Sequence, residues 1–147
     1  MAYGMSGRVF HAPFIYAHPG FELRAVVERH EKKMAGPYAG IISYDQTEEL
    51  LNDKEIELVI VNTPNNTHFD LAKRSFQAGK HVLVEKPIAA TVAEVKKLYD
   101  LAREAGKHLM VYQNRRWDSD FLSVKETIES GRLGQLIEVH FRFDRYK

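Results

Sequence analysis

Lys86 stands between Glu85 and Pro87, directly after the apolar run His81-Val82-Leu83-Val84. A lysine so placed serves as a proton donor, or as an electrostatic clamp on a carbonyl oxygen, where desolvation or a neighbouring charge tunes it. Pro87 restricts the backbone that presents it. A second polar, proline-punctuated segment, Asn62-Thr63-Pro64-Asn65-Asn66-Thr67-His68, closes the run Leu58 to Val61. His68 falls in the first turn of the helix predicted after Pro64, either towards a ligand or as a capping, solvent-facing residue. The segment Ala2-Tyr3-Gly4-Met5-Ser6-Gly7 has the form A-x-G-x-x-G. In that form Gly4 lets the backbone approach a pyrophosphate, Met5 and Ser6 bring main-chain amides to it, and Gly7 lets the following helix pack closely. An ordinary turn before a helix uses the same small residues.

Glu28 ends the next apolar run and Arg29 follows it. A carboxylate there accepts hydrogen bonds from adenosine ribose hydroxyls, whereas a guanidinium holds a 2′-phosphate. NAD and NADP both stay open, as does a plain solvated strand end. Asn114-Arg115-Arg116-Trp117-Asp118 follows the run ending at Tyr112. Paired arginines beside an indole recognise a polar or anionic substrate and stack on a ring; the alternative is a linker anchored by its tryptophan. No grouping of histidines and carboxylates has metal-ligand spacing, so no metal site is expected.

These segments need elements that bring them to one place. Leu23 to Val27, Leu58 to Val61, His81 to Val84 and His108 to Tyr112 are short aliphatic runs of the kind that form parallel strands buried on both faces. Between them, Phe69, Ala72 and Phe76, and then Val92, Val95, Tyr99 and Ala102, recur at helical spacing. Asp45-x-x-Glu48 and Thr91-x-x-Glu94 read as capping boxes, and Gly79, Gly106 and Gly131 stand where helices should stop. Strand and helix alternate through short loops, which predicts a doubly wound α/β sheet. In such sheets ligands sit outside the carboxyl ends of the strands, the edge at which the segments after Val61 and Val84 emerge. From Gln135 to Tyr146, Ile137, Val139, Phe141 and Phe143 alternate with polar residues, which predicts a final strand with one wet face. Such an edge invites pairing with a second copy, so a homo-oligomer is expected.

The 147 residues suffice for one core. Lys and Arg number 21 against 20 for Asp and Glu and are dispersed, so neither nucleic acid nor an anionic membrane is an expected partner. No apolar stretch approaches the roughly 20 residues of a membrane span. The absence of cysteine fits a reducing compartment, and a cytoplasmic location is expected.

Read in order, Gly4 to Gly7, Thr63-Pro64-x-x-x-His68, Glu85-Lys86-Pro87 and Asn114-Arg115-Arg116-Trp117 resemble the glucose-fructose oxidoreductase, inositol dehydrogenase and MocA family. The resemblance implies a Rossmann domain binding NAD or NADP, followed by a separate α/β domain, and hydride transfer to or from a sugar, polyol or related carbonyl compound. It implies that Gly4, Met5, Ser6 and Gly7 serve the pyrophosphate and Glu28 or Arg29 the adenosine ribose. Asn62, Thr63, Pro64, Asn65 and His68 would line the dinucleotide, and Glu85 would orient the nicotinamide ribose. Lys86 would polarise or protonate the substrate oxygen, with Asn114, Arg116 and Trp117 on the nicotinamide side.

Two departures accompany the likeness. Only Met1, Ala2 and Tyr3 precede Gly4, so the Rossmann sheet is expected to lack most of its first strand, which is central in the order 3-2-1-4-5-6. The second domain, from residue 134, is expected to be present only as its first strand. The chain is thus expected to be a truncated enzyme with a Rossmann domain over residues 1–133, the alternative being a non-catalytic dinucleotide-binding or assembly module.

Overall fold

A computed structural model describes residues 2–34, 38, 40–142 and 144. The chain divides into two compact units, Met1–Tyr112 and Gln113–Lys147, whereas the sequence set the boundary at residue 134. In the first unit the glycine turn leads into a helix. It opens as a π-helical stretch, Gly7–His11, and continues as α1, Ala12–Ala17. Pro13 has no amide to donate, and its ring crowds the carbonyl four residues back in a regular α-helix. The wider turn ahead of it, closed by the Ala12 amide on the Gly7 carbonyl, fits that constraint.

The strands are β1 (Ala25–Val27), β2 (Ile42–Tyr44), β3 (Leu58–Val61), β4 (His81–Val84) and β5 (Leu109–Val111), all pairing in parallel. The helices between them are α2 (Thr47–Asn52), α3 (His68–Gln77) and α4 (Val92–Glu104). This is the Rossmann alternation, with a break in it. β1 and β2 form one two-stranded sheet, and β3, β4 and β5 form a separate one. The register is Val59 opposite Val82 and Val82 opposite Leu109, which puts Val61, Val84 and Val111 level at one edge.

The break lies where the first strand was expected to be lacking. Ala2 makes an isolated parallel bridge to Val27. On its other side it is held by Asn62, whose Oδ1 accepts from the Ala2 amide at 2.8 Å and whose Nδ2 donates to the Ala2 carbonyl at 2.9 Å. A side-chain amide at the end of β3 thus imitates a strand partner for this one residue. Below it, a cavity of about 540 Å³ is lined by β1 at Ala25 and Val26 and by β3 at Leu58 and Val59. The buried apolar residues accordingly fall into two clusters rather than the one core expected. The larger joins Val59, Val61, Val82 and Val84 to Leu71, Phe76, Leu98 and Ala102; the smaller holds Tyr3, Ala12, Val26 and Met34.

Other local expectations were shifted. The strand β2 was not foreseen, because Ile-Ser-Tyr offers no apolar run. The cap of α2 uses Glu49, whose carboxylate accepts from the amides of Asp45 and Gln46, one residue beyond the expected Asp45-x-x-Glu48 box. The Thr91 box is formed as expected: Glu94 N donates to Thr91 Oγ1 at 3.2 Å, and Thr91 N to Glu94 Oε2 at 3.0 Å. On α4 the buried positions are Leu98 and Ala102, with Val92 and Tyr99 exposed. Of the predicted set, Ala102 is thus buried and Val95 half-buried, and Leu98 with the half-buried Leu101 completes the inward face. Gly79, Gly106 and Gly131 take positive φ after their helices.

The second unit contains a 3-10 turn, Asn114–Trp117, and the helix α5, Ser119–Glu129. The predicted final strand is not formed at residues 135–142, where Ile137 and Phe141 are each 87% exposed. A strand is defined by its ladder, and no partner strand is present here among the described residues. Phe143 and Tyr146 lie outside the described residues. The expectation of an oligomer rested on this strand.

Among the described residues Gly7 is the glycine most constrained by packing: a Cβ there would stand 2.4 Å from the Ala2 carbonyl oxygen and 3.0 Å from Asn62 Nδ2. Gly7→Ala is therefore expected to lower stability by about 1–3 kcal/mol, the usual cost of forcing atoms into a filled space. Urea unfolding checks this, and an unchanged midpoint would contradict the tight approach.

Candidate functional site

At the edge where β3 and β4 end, the backbone turns polar because both strands run out of apolar residues at the same level. The β3 segment closes on itself. The Thr67 hydroxyl donates to the Pro64 carbonyl at 2.7 Å, so at the 2.6 Å contact between the two threonine hydroxyls Thr63 is the donor. The ring of His68, 1% exposed, then spans the two loops. Its Nδ1 lies 2.7 Å from the Pro87 carbonyl oxygen and its Nε2 2.8 Å from the Thr63 carbonyl oxygen. His68 was expected to line the dinucleotide. It is instead the buried clasp that joins the two loops, with both ring nitrogens occupied.

Glu85 joins the β4 segment to the glycine turn. Its Oε1 accepts from Ser6 Oγ at 2.6 Å and lies 3.1 Å from His11 Nε2, and its Oε2 accepts from the Lys86 amide at 3.3 Å. His11 in turn packs its ring 4.4 Å from that of Tyr112, whose hydroxyl donates to the Phe10 carbonyl at 2.9 Å. Lys86 therefore leaves a corner held on both sides, by Glu85 before it and by His68 through Pro87 after it. The Lys86-Pro87 peptide is cis. The lysine side chain itself is exposed, so within the first unit the desolvation expected around it is not present.

Burial raises the Glu85 pKa, but the bonds from Ser6 and His11 and the Lys86 amide outweigh it and hold the carboxyl below its ordinary range. For His11, burial pushes the imidazole below its ordinary value by more than Glu85 lifts it. The pair at neutral pH is thus a carboxylate facing a neutral ring that donates from Nε2.

The other expected residues are distributed as follows. Gly4 has open space where a Cβ would be, as a backbone that admits a ligand requires. Arg8 N donates to the Gly4 carbonyl at 3.0 Å, so the turn closes directly into the helix. Met5, Pro64 and Asn65 are exposed. Asn62 is occupied with Ala2. Glu28 does not face outward as a ribose ligand should: it is 6% exposed, and its oxygens accept from the amides of Lys33 at 2.7 Å and Met34 at 3.2 Å and from Ser43 Oγ at 2.7 Å. Its capacity is spent on the chain's own backbone, while Arg29 beside it is exposed.

In the second unit Arg115 pairs with Asp118 at 2.7 Å, and Trp117 is 78% exposed rather than a buried anchor. Asn114 and Arg116 lie in the same short turn. Among the described residues no group of three or more potential ligands could hold a metal ion, and no helix is long and apolar enough to cross a membrane.

The residues that sequence reasoning passed over are His11 and Tyr112. The available signal was spacing: His11 follows Gly7 by four, which puts it on the helix face that Gly7 presses to the sheet.

Comparison with known proteins bears on the fold and the family. A family model described as an oxidoreductase family with an NAD-binding Rossmann fold matches residues 2–113. An uncharacterized oxidoreductase of Schizosaccharomyces pombe is 48% identical, over 98% of this chain and 40% of that protein. The scyllo-inositol 2-dehydrogenase (NADP(+)) IolW of Bacillus subtilis is 37% identical, over 100% of this chain and 41% of that protein. The crystal structure of an oxidoreductase from Bacillus cereus superposes with a TM-score of 0.85 at 42% identity, covering 90% of this chain and 39% of that one. The chain thus spans about 40% of the length of these relatives.

Both shifted groups act on stability in the same direction. A depressed folded pKa means that the folded state binds fewer protons, so its contribution is complete above the ordinary value and lost as pH falls through the lower one. For His11 the loss begins below about pH 6.5, and for Glu85 below about pH 4.3. Unfolding free energy is expected to fall as pH drops across these ranges, and Glu85→Gln to flatten the lower part of the profile. Denaturant titrations at several pH values check this; a Glu85→Gln profile parallel to the wild type down to about pH 3 would contradict the assignment.

Proposed function

Starting from the fact that the chain belongs to the Gfo/Idh/MocA family of oxidoreductases with an NAD-binding Rossmann fold, we propose that its first unit holds NADP(H) in preference to NAD(H). The protein it serves would move a hydride to or from a sugar, polyol or related carbonyl compound. The observation that carries this reading is the single carboxylate of Glu85, which joins the glycine turn to the corner bearing Lys86.

The residues present fit a dinucleotide. Gly4 leaves space for a pyrophosphate, and Ser6 and Gly7 bring amides to it at the start of the helix. Thr63, Pro64 and Asn65 line the edge, and Glu85 is fixed where a nicotinamide ribose needs an acceptor. When bound, the dinucleotide would supply or accept the hydride. Lys86, on a backbone held on both sides, would donate the proton to the carbonyl oxygen in the reducing direction and take it from the hydroxyl in the oxidising one. The cofactor preference rests on Glu28: a carboxylate turned inward offers nothing to the 2′-hydroxyl, and Arg29 is left at the end of β1 with a guanidinium suited to a 2′-phosphate. The NADP(+) named for IolW supports the same choice. The exposure of Lys86 favours, for this chain by itself, binding without turnover, because hydride transfer needs the substrate held at near-attack distance.

Titration of the chain with NADPH and NADH, followed by nicotinamide fluorescence, tests this reading. NADPH is expected to bind more tightly, and Arg29→Ala to weaken it by about tenfold, the loss of one charge-assisted hydrogen bond, with NADH affected far less. Equal affinities, or equal losses, would remove the preference. In any preparation that turns over a polyol, Lys86→Ala is expected to lower kcat by about a hundredfold at unchanged cofactor affinity; an unchanged kcat would remove the lysine from the reaction.

A further inference from the structure

The lysine corner is held from one side by a residue that no part of the reading above uses. His11 is almost fully buried, at 5% exposure, in the π-helical stretch that opens the first helix. Its Nε2 reaches the Glu85 oxygen that also accepts from Ser6, and the remaining oxygen of the same carboxylate accepts from the Lys86 amide. The ring of Tyr112 packs against the imidazole at 4.4 Å with the planes tilted by 48°, and its hydroxyl is tied to the carbonyl of Phe10, the residue before His11, which restricts the imidazole's orientation. A carboxylate has two oxygens on one rotating bond. Fixing one of them against the helix decides where the other meets the backbone of Lys86.

We propose that His11 is a positioning residue for Lys86, its Nε2–H holding the Glu85 carboxylate against Ser6 and thereby fixing the corner from which the lysine projects. The proposal rests on the reading that Lys86 performs the chemistry, but its geometry stands without a cofactor. Without the imidazole donor, the carboxylate keeps the Ser6 bond and the longer one from the Lys86 amide, and is freer to rotate towards the lysine ammonium next to it. The lysine then loses reactivity by pairing with its neighbour. The wider π-helical turn serves this arrangement, since it carries His11 to the sheet side ahead of Pro13.

The test compares a donor with an apolar filler at position 11. His11→Gln keeps an N–H that can reach Glu85, and His11→Leu keeps packing volume without a donor. Each chain is treated with trace acetic anhydride in the absence of nucleotide, and acylation of Lys86 is measured by mass spectrometry relative to exposed Lys97. His11→Leu is expected to slow Lys86 relative to wild type by about threefold or more, the order of one hydrogen bond, and His11→Gln to restore it. A packing role alone predicts the reverse order of damage or none. An unchanged rate in His11→Leu, or equal loss in both variants, overturns the proposal. Should both variants fail to fold, long-range proton–nitrogen NMR of the wild type decides: a proton on His11 Nε2 supports the donor role, and a bare Nε2 overturns it. Because no step needs nucleotide, failure of NADPH to bind would sink the cofactor reading and leave this one standing or falling on its own result.

Discussion

The site in the first unit depends on one carboxylate bridging two parts of the chain far apart in sequence. Glu85 lies at the end of β4, and Ser6 and His11 lie in the turn and helix that open the chain. With its side chain only 14% exposed, an unpaired carboxylate there would be costly, so its bonds to those donors are what make the position tolerable. The same bonds tie the glycine turn to the lysine corner. His68 performs a parallel task on the other side, fastening the Thr63 loop to Pro87. The two contacts leave Lys86 as an exposed side chain on a fixed backbone, which is how a side chain on a loop is given a defined position.

This bridging matters more here because the sheet is interrupted. Where β1 and β3 would share a central strand, only Ala2 remains as a bridge to Val27, with the Asn62 side chain completing its other edge. The cavity below Ala2 separates the small cluster around Val26 and Met34 from the main one around Val59 and Val82. Contacts at the carboxyl edge, Asn62 with Ala2 and Glu85 with Ser6, therefore hold the opening segment in place where a continuous sheet would otherwise do so. The stability of the first helix and the integrity of the site are the same question.

Much of this was legible in the sequence for a physical reason: aliphatic runs and glycine stops reflect burial and backbone conformation, which act locally. Val59, Val61, Val82 and Val84 are buried as their pattern required, and the loops after them emerge at one edge. What was not legible depends on which way a polar side chain turns. Glu28 and His68 have the types and spacing of ligand residues, yet both face inward because backbone amides and carbonyls at those bends need partners. His11 was passed over because its partner, Glu85, is distant in the chain. The strand expected from Gln135 to Tyr146 is not formed over residues 135–142 for a related reason: alternation prepares a face but supplies no ladder.

If the glycine turn, the Thr63 loop and the Glu85-Lys86 corner form one dinucleotide-binding edge, a bound dinucleotide must perturb all three. Backbone amide chemical shifts of the isotope-labelled chain, followed during titration with NADPH, test it most directly. The account predicts saturable shifts concentrated at Gly4 to Gly7, Thr63 to Asn65 and Glu85 to Lys86. Shifts gathered instead at the opposite end of the strands, around Glu57, Lys80 and His108, would contradict it.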